Sequence, residues 1–174
     1  MQEQLIWVDI FDHEIGHGEK LETHIKEQLH RAFSVFIIHD GKMFIQRRAM
    51  DKYHSGGLWA NACCSHPRWG ETFEESVQNR LVEELGIPKG SCSPKELFSF
   101  VYYCKYDTLS EYEYDHVLVT DYYGDMVINP EEIMDTRWVE LKQLQKELQE
   151  EPQKFSAWFL IAAPRVLERY SSIK

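Results

Sequence analysis

Residues 57–87 read GLWANACCSHPRWGETFEESVQNRLVEELGI. The second half of this stretch predicts a helix from Thr72 to Leu85, stopped by Gly86 with Pro88 beyond it. At about 100° per residue from Phe73, Val77 falls near ~40° and Leu81 near ~80° on the helix face. Glu84, near ~20°, and Arg80, near ~−20°, fall beside that same stripe. Burying an unpaired charge costs several kcal/mol, roughly. Charges on a buried face therefore need a partner, and a metal ion or a phosphate is a natural candidate. Ahead of the helix stands Cys64-Ser65-His66, closed by Pro67, which holds His66 out of the helical region.

Working outward, QLIWVDIF (4–11) alternates as a first strand, and Asp12 to Gly18 reads as a turn with Gly16 and Gly18 supplying flexibility. RAFSVFII (31–38) and MFIQRR (43–48) flank His39-Asp40-Gly41-Lys42 and predict a hairpin. A loop over 49–57 leads to a short strand at 58–63. Further strands are predicted over 96–106 and 113–121, then an irregular segment from Asn129 to Val139. Helices follow at 140–150 and at 155–171, the latter containing Pro164. Strands interleaved with few helices give an α/β (α+β) chain, a mixed sheet with helices on its faces.

The chain has 174 residues, 43% of them apolar, which is enough for one domain with a real core. The net charge of −10, without a block of Lys and Arg, argues against nucleic acid or an anionic membrane as partner. No apolar run spans a bilayer and the start lacks the pattern of a signal peptide. The four cysteines, two of them adjacent, suggest no disulfide framework, so a reduced cytoplasmic protein is expected.

GET…RLVEELGI resembles a Nudix box, whose hydrolase pattern is G-x5-E-x7-R-E-U-x-E-E-x-G-U. Glu71, Glu83, Glu84, Gly86 and Ile87 match. Ser65 stands at the first Gly, Asn79 at the Arg and Arg80 at a Glu that hydrolases need for metal. A carboxylate has been exchanged for a cation. Over nearly its whole length the chain resembles the type 1 isopentenyl-diphosphate isomerase family. The resemblance is carried by Lys20, by His24 and His30 before RAFSVF, by RRAMDK, WANACCSHP and ELGI, by Tyr102, and by EYEYDHVL and FSAW. The family commonly reads Trp-Thr-Asn at Trp59-Ala60-Asn61 and spaces its two histidines one residue further apart.

The resemblance implies a Nudix-like α/β/α sandwich with a mixed β-sheet and the Nudix loop-helix-loop, spanning residues 1–174 as one domain. It implies a metal centre of His24, His30, His66, Glu111 and Glu113, holding Mn²⁺, Zn²⁺ or Mg²⁺. Glu111 and Glu113, at i and i+2 on a strand, face one way and repel unless a cation lies between them. By themselves they equally fit a solvated edge strand. Cys64 and Glu113 are implied on opposite sides of the substrate double bond, with Tyr102 assisting Glu113. Alternation puts Cys63 on the opposite face from Cys64.

Trp158 is expected to cap the site, and Trp59 to line it. Lys20, Arg48, Lys52 and Arg80 match diphosphate-contacting positions, and Glu84 would hold a second Mg²⁺ bridging the diphosphate. Arg80 and Glu84 at i,i+4 also fit a plain salt bridge. The expected partner is a small isoprenoid diphosphate; no flavin is expected, and the chain is expected to be a monomer or weak dimer. The rival readings are a Nudix diphosphatase and a non-catalytic diphosphate-binding module.

Overall fold

The computed structural model describes residues 3–172. Its centre is the strand His30–His39, β3, which uses both of its edges. Along one edge runs Leu109–Thr120, β8, parallel and in register from His30↔Glu113 to Ile37↔Thr120. Along the other edge pair, in succession, Gln4–Val8 (β1), Cys63–Ser65 (β6) and Lys42–Arg48 (β4). Beyond these, Lys95–Tyr106 (β7) pairs with β8, Glu14–Glu19 (β2) with β1, and both Trp59–Asn61 (β5) and Ile133–Glu140 (β9) with β4. The sheet is mixed, as predicted.

Alternation along β3 separates two cores. Phe36 and Ile38 face the helix Ala157–Ser172, α4, and the helix Leu141–Glu150, α3. They pack there with Phe98, Tyr102, Trp158, Phe159, Ala162 and Val166. Phe33, Val35 and Ile37 face the opposite side and meet Val77, Leu81 and Leu85 of the helix Phe73–Leu85, α2. Cys63 lies in this second core and Cys64 on the α4 side, as the alternation predicts. Helices therefore cover both faces of the sheet, in the predicted sandwich.

Helix α2 begins at a complete capping box, in which the Thr72 side chain accepts from Glu75 N and Glu75 accepts from Thr72 N. It ends at Gly86 in the left-handed conformation, φ 64°.

Residues 12–18 are not the predicted turn. The turn is Asp9–His13, and β2 returns antiparallel to β1. Gly18 is there for space, not flexibility, since a Cβ on it would lie 2.2 Å from Cζ2 of Trp7, whose ring covers the strand. The helix Lys20–Ile25, α1, was not anticipated. Strand β8 begins at Leu109, so Glu111 is inside it, and only Asp107 and Thr108 separate β7 from β8. The segment leading to Val139 is a full strand, β9, because it pairs with the whole of β4.

The αL position at Gly86 carries a second constraint, because a Cβ there would meet Val127 at 2.7 Å from its Cβ and 2.8 Å from its N. Gly86→Ala should therefore cost about 2 kcal/mol or more, the ~1–2 kcal/mol of left-handed backbone plus the clash. Urea denaturation measures it, and an unchanged midpoint would contradict the close packing of Gly86 on Val127.

Candidate active site

The face of β8 that carries Val117 into the α4-side core presents Glu111, Glu113 and Asp115 before it. All three are at most 8% exposed. The parallel register sets His30 beside Glu113 and Ala32 beside Asp115. Helix α1 brings His24 to the same place. The chain then turns back through Glu27, at φ 54°, so that the close spacing of His24 and His30 is bridged by a tight reversal. His66 follows directly on β6.

These elements converge on one point. One ligand atom each from His24, His30, His66 and Glu111 lies within 4.8 Å of all the others, and all four residues are buried. His24 Nδ1 bonds to Lys20 O and His30 Nδ1 to Gln28 O, 2.8 Å away. A carbonyl only accepts, so each Nδ1 carries the proton and each Nε2 of a neutral ring presents its lone pair inward. His30 Nε2 meets His66 Nε2 at 3.3 Å. Two lone pairs at that distance repel unless a proton or a cation lies between them. Glu111 Oε2 is buried without a hydrogen-bond partner, 3.7 Å from His30 Nε2 and 4.0 Å from His66 Nε2. Ligands ~2.1 Å from a common ion stand ~3–4.2 Å apart. The group can hold a metal ion.

Glu113 adjoins this centre and a cleft. Its Oε2 is 3.5 Å from His66 Nε2, and its Oε1 accepts from the Tyr102 hydroxyl, supplied by the cross-strand pair Tyr102↔Glu113. Burial, and next the adjoining Glu111 carboxylate, push Glu113 well above the usual carboxylate range. Burial pushes Glu111 up too, but the imidazoles of His24, His30 and His54 outweigh it and hold Glu111 well below that range. Asp115 accepts from the Ser34 hydroxyl at 2.8 Å, and burial pushes it up to about 7.

Cys64, Glu113, Tyr102 and Trp158 line the same cleft. Burial pushes the Cys64 thiol up to about 12. Arg48 Nη1 is 3.9 Å from its sulfur. Trp158 is set by its indole N–H, which donates to Asn61 Oδ1 at 3.1 Å. Asn61 in turn donates to Val35 O and Cys63 O.

Across Cys64–His66 lies a second cavity, lined by Lys20, Arg48, Lys52, Arg80 and Glu84 among others. All four sequence-predicted cations are brought here. Arg80 pairs with Glu84 and stands 3.8 Å from Glu132, which also takes Lys52. Lys20 is 3.5 Å from Glu3. Arg48 has no carboxylate within ion-pair distance among the described residues. It is 7% exposed, donates to His54 O, and lies 5.0 Å from the Trp158 ring centre.

Trp59 is not brought to either cavity. It pairs with Arg47 across β4–β5, lies 4.9 Å from the Arg137 guanidinium, and lines a groove with Glu147 and Lys154. It borders the α4-side core, as Cys64 does, yet lines neither cavity. Its main-chain carbonyl still accepts from Ser156 N and so helps seat the start of α4.

Sequence reasoning missed Asp115, Tyr53, His54, Asn61 and Glu132. Asp115 was available as the third member of the E-x-E-x-D alternation. The other four carry no local signal. The Nudix-box carboxylates Glu71 and Glu83 are engaged in structural contacts. Glu71 accepts from Ser76 and Asn79, and Glu83 takes a two-pronged pair from Arg68 at 2.9 and 2.8 Å. Among the three matching box carboxylates, Glu84 alone lines the cavity.

A NUDIX domain matches residues 28–159. The isopentenyl-diphosphate Delta-isomerase 2 of Aromatoleum aromaticum is 41% identical over 169 residues, covering 96% of this chain and 88% of that protein. The isopentenyl-diphosphate Delta-isomerase of Serratia proteamaculans is 43% identical over 162 residues, 92% and 89% of the two chains. Among solved structures, the protein DR0079 of Deinococcus radiodurans aligns with a TM-score of 0.77 at 21% identity, over 94% of this chain and 98% of that one. A MutT NUDIX hydrolase of Burkholderia pseudomallei aligns at 0.63 and 20% identity, over 80% and 98%. The two structural likenesses show the fold, and the sequence matches go further: the chain belongs to the isopentenyl-diphosphate Delta-isomerase family of NUDIX-domain proteins.

Proposed function

We propose that the chain interconverts isopentenyl and dimethylallyl diphosphate, using the two adjoining cavities as one site. One observation carries the reading within this family. A cleft lined by Cys64, Glu113 and Tyr102 opens, through Cys64–His66, beside a cavity lined by four cations. The hydrolase alternative has little support, since Arg80 replaces a box carboxylate while Glu71 and Glu83 are engaged in hydrogen bonds and ion pairs.

The reaction adds a proton at C4 and removes one from C2 through a tertiary carbocation. Two proton-handling groups must flank the isoprenoid carbons in a site that excludes water. Glu113, acting through the Tyr102 hydroxyl, handles one carbon and Cys64 the other, and the reverse reaction exchanges their roles. Glu113 is buried and Cys64 half-buried, which limits the loss of either proton to solvent. The Trp158 face stabilises the cation by ~2 kcal/mol. Arg48, buried without a carboxylate, binds the diphosphate together with Lys20, Lys52 and Arg80.

His24, His30, His66, Glu111 and Glu113 would hold one divalent cation, and Glu84 a second with the diphosphate. When bound, these ions offset the carboxylate charge at the first site and the phosphate charge at the second. The imidazole-rich set suits Mn²⁺ or Zn²⁺ better than Mg²⁺, which fits the oxygen-only second site.

Incubation with isopentenyl diphosphate and a divalent cation in deuterated water, followed by NMR, should give dimethylallyl diphosphate carrying deuterium. Phosphate release instead would overturn the reading in favour of a diphosphatase. Cys64→Ala and Glu113→Gln should each lower turnover by ~10³-fold or more with unfolding midpoints retained, since a positioned acid or base contributes ~10²–10⁴-fold. Substantial residual turnover in either variant would remove that residue from the mechanism. With its pKa raised to about 12 from 9.0, Cys64 should also be alkylated by iodoacetamide roughly a thousandfold more slowly than a free thiol at neutral pH. The rate should rise about tenfold per pH unit through pH 10, read by mass spectrometry of the Cys64 peptide. Rapid labelling at pH 7 would contradict the upward shift of the thiol.

A further inference from the structure

Glu111 is gripped from the side away from its unpartnered oxygen. Its Oε1 accepts from the Tyr53 hydroxyl at 3.0 Å and from His54 Nε2 at 2.7 Å and stands 2.9 Å from His24 Nε2, while Oε2 is left facing His30 and His66. His54 is as firmly held as the residue it contacts. Its ring stacks on Tyr106 at 4.4 Å and 11°, and meets Tyr53 edge-on at 4.4 Å. Its Nδ1 is 3.0 Å from the Ser55 hydroxyl, and its carbonyl accepts from Arg48 Nη2 at 3.3 Å. The loop that carries it is tight, since a Cβ on Gly56 would fall 2.4 Å from Met50 O.

A carboxylate oxygen only accepts, so Nε2 of His54 carries the proton, and the Ser55 hydroxyl serves Nδ1. The nitrogen that faces Glu111 therefore has no lone pair to give a metal. We infer that His54 is a positioning residue: it fixes Oε1 of Glu111 so that Oε2 is presented to the imidazole-lined centre, and its carbonyl sets Arg48 beside Cys64. The inference rests on the proposed metal centre and adds a residue from outside the ligand set. A carboxylate pinned by one oxygen enters the centre already oriented, and partners of this kind are typically worth about 10–100-fold in metal affinity.

The test is Mn²⁺ binding to chelator-treated protein, followed by the electron paramagnetic resonance signal of free Mn²⁺. His54→Phe keeps a ring to stack on Tyr106 but has no donor, whereas His54→Gln places an amide N–H near the former Nε2–H. We expect His54→Phe to bind Mn²⁺ about 10–100-fold more weakly and His54→Gln to stay within a few-fold of wild type. Should His54→Phe not fold, His54→Asn, too short to reach Glu111, carries the same expectation. Wild-type affinity in the donorless variant would overturn the proposal, and so would a His54→Gln variant as weak as His54→Phe, which would point to ring packing. A wild-type protein that binds no Mn²⁺ would instead remove the metal centre itself, separating that failure from failure of the His54 role.

Discussion

The constraint on which the site depends is the parallel register of β3 and β8. It stacks three carboxylates, Glu111, Glu113 and Asp115, on one buried face at alternate positions. Three like charges in that setting are not tolerated unless each is neutralised or paired. The structure gives each a different answer. Glu111 is surrounded by imidazoles, Glu113 shares a hydrogen bond with Tyr102, and Asp115 takes the Ser34 hydroxyl. These partners come from α1, β3, β7, the loop after β4 and the residue that follows β6, so the carboxylate stripe ties remote parts of the chain to one strand.

The same face is core at one end and chemistry at the other. On β3, His30 and Ser34 give way to Phe36 and Ile38; on β8, the carboxylates give way to Val117. A polar site is thus built at the rim of a well-packed apolar layer, and α4 closes both. Trp158 lines the cleft while Phe159, Ala162 and Val166 of the same helix pack into the core. The Asn61 amide joins the two, accepting from Trp158 and donating to carbonyls of β3 and β6. A ring held by both packing and a hydrogen bond stays oriented, as a site for a short-lived carbocation requires.

The parts that were legible in the sequence are those governed by local periodicity. The β3–β4 hairpin, α2 with its stop at Gly86, the opposite facing of Cys63 and Cys64, and the fold class all follow from alternation, helix period and turn residues. The β1–β2 hairpin was misread because Gly16 and Gly18 look like turn residues, whereas Gly18 is small to admit the Trp7 ring. Helix α1 has six residues and no side-chain cap, too little to register as a pattern. Trp59 was drawn toward the site by its neighbours in sequence, although its ring lies against Arg137 in a separate groove. His54 and Glu132 were invisible because their importance arises from contacts with residues more than fifty positions away.

The acidic chain also poses a charge problem, and the second cavity answers it. Three of its four cations already have carboxylate neighbours: Arg80 has Glu84 and Glu132, Lys52 shares Glu132, and Lys20 lies near Glu3. Such pairs keep the cations ordered and limit the cost of burying them. An incoming diphosphate must then compete for charge that is partly spent. Glu84, if it holds a divalent ion as proposed, would resolve the competition, since a carboxylate that opposes the ligand would become one that recruits it. Arg48 stands outside this arrangement, its guanidinium held by a carbonyl, a sulfur and an aromatic ring. It is the cation whose charge is least engaged by carboxylates, and with Cys64 it lines both cavities, so in the proposed function it would hold the diphosphate end of the ligand next to the thiol.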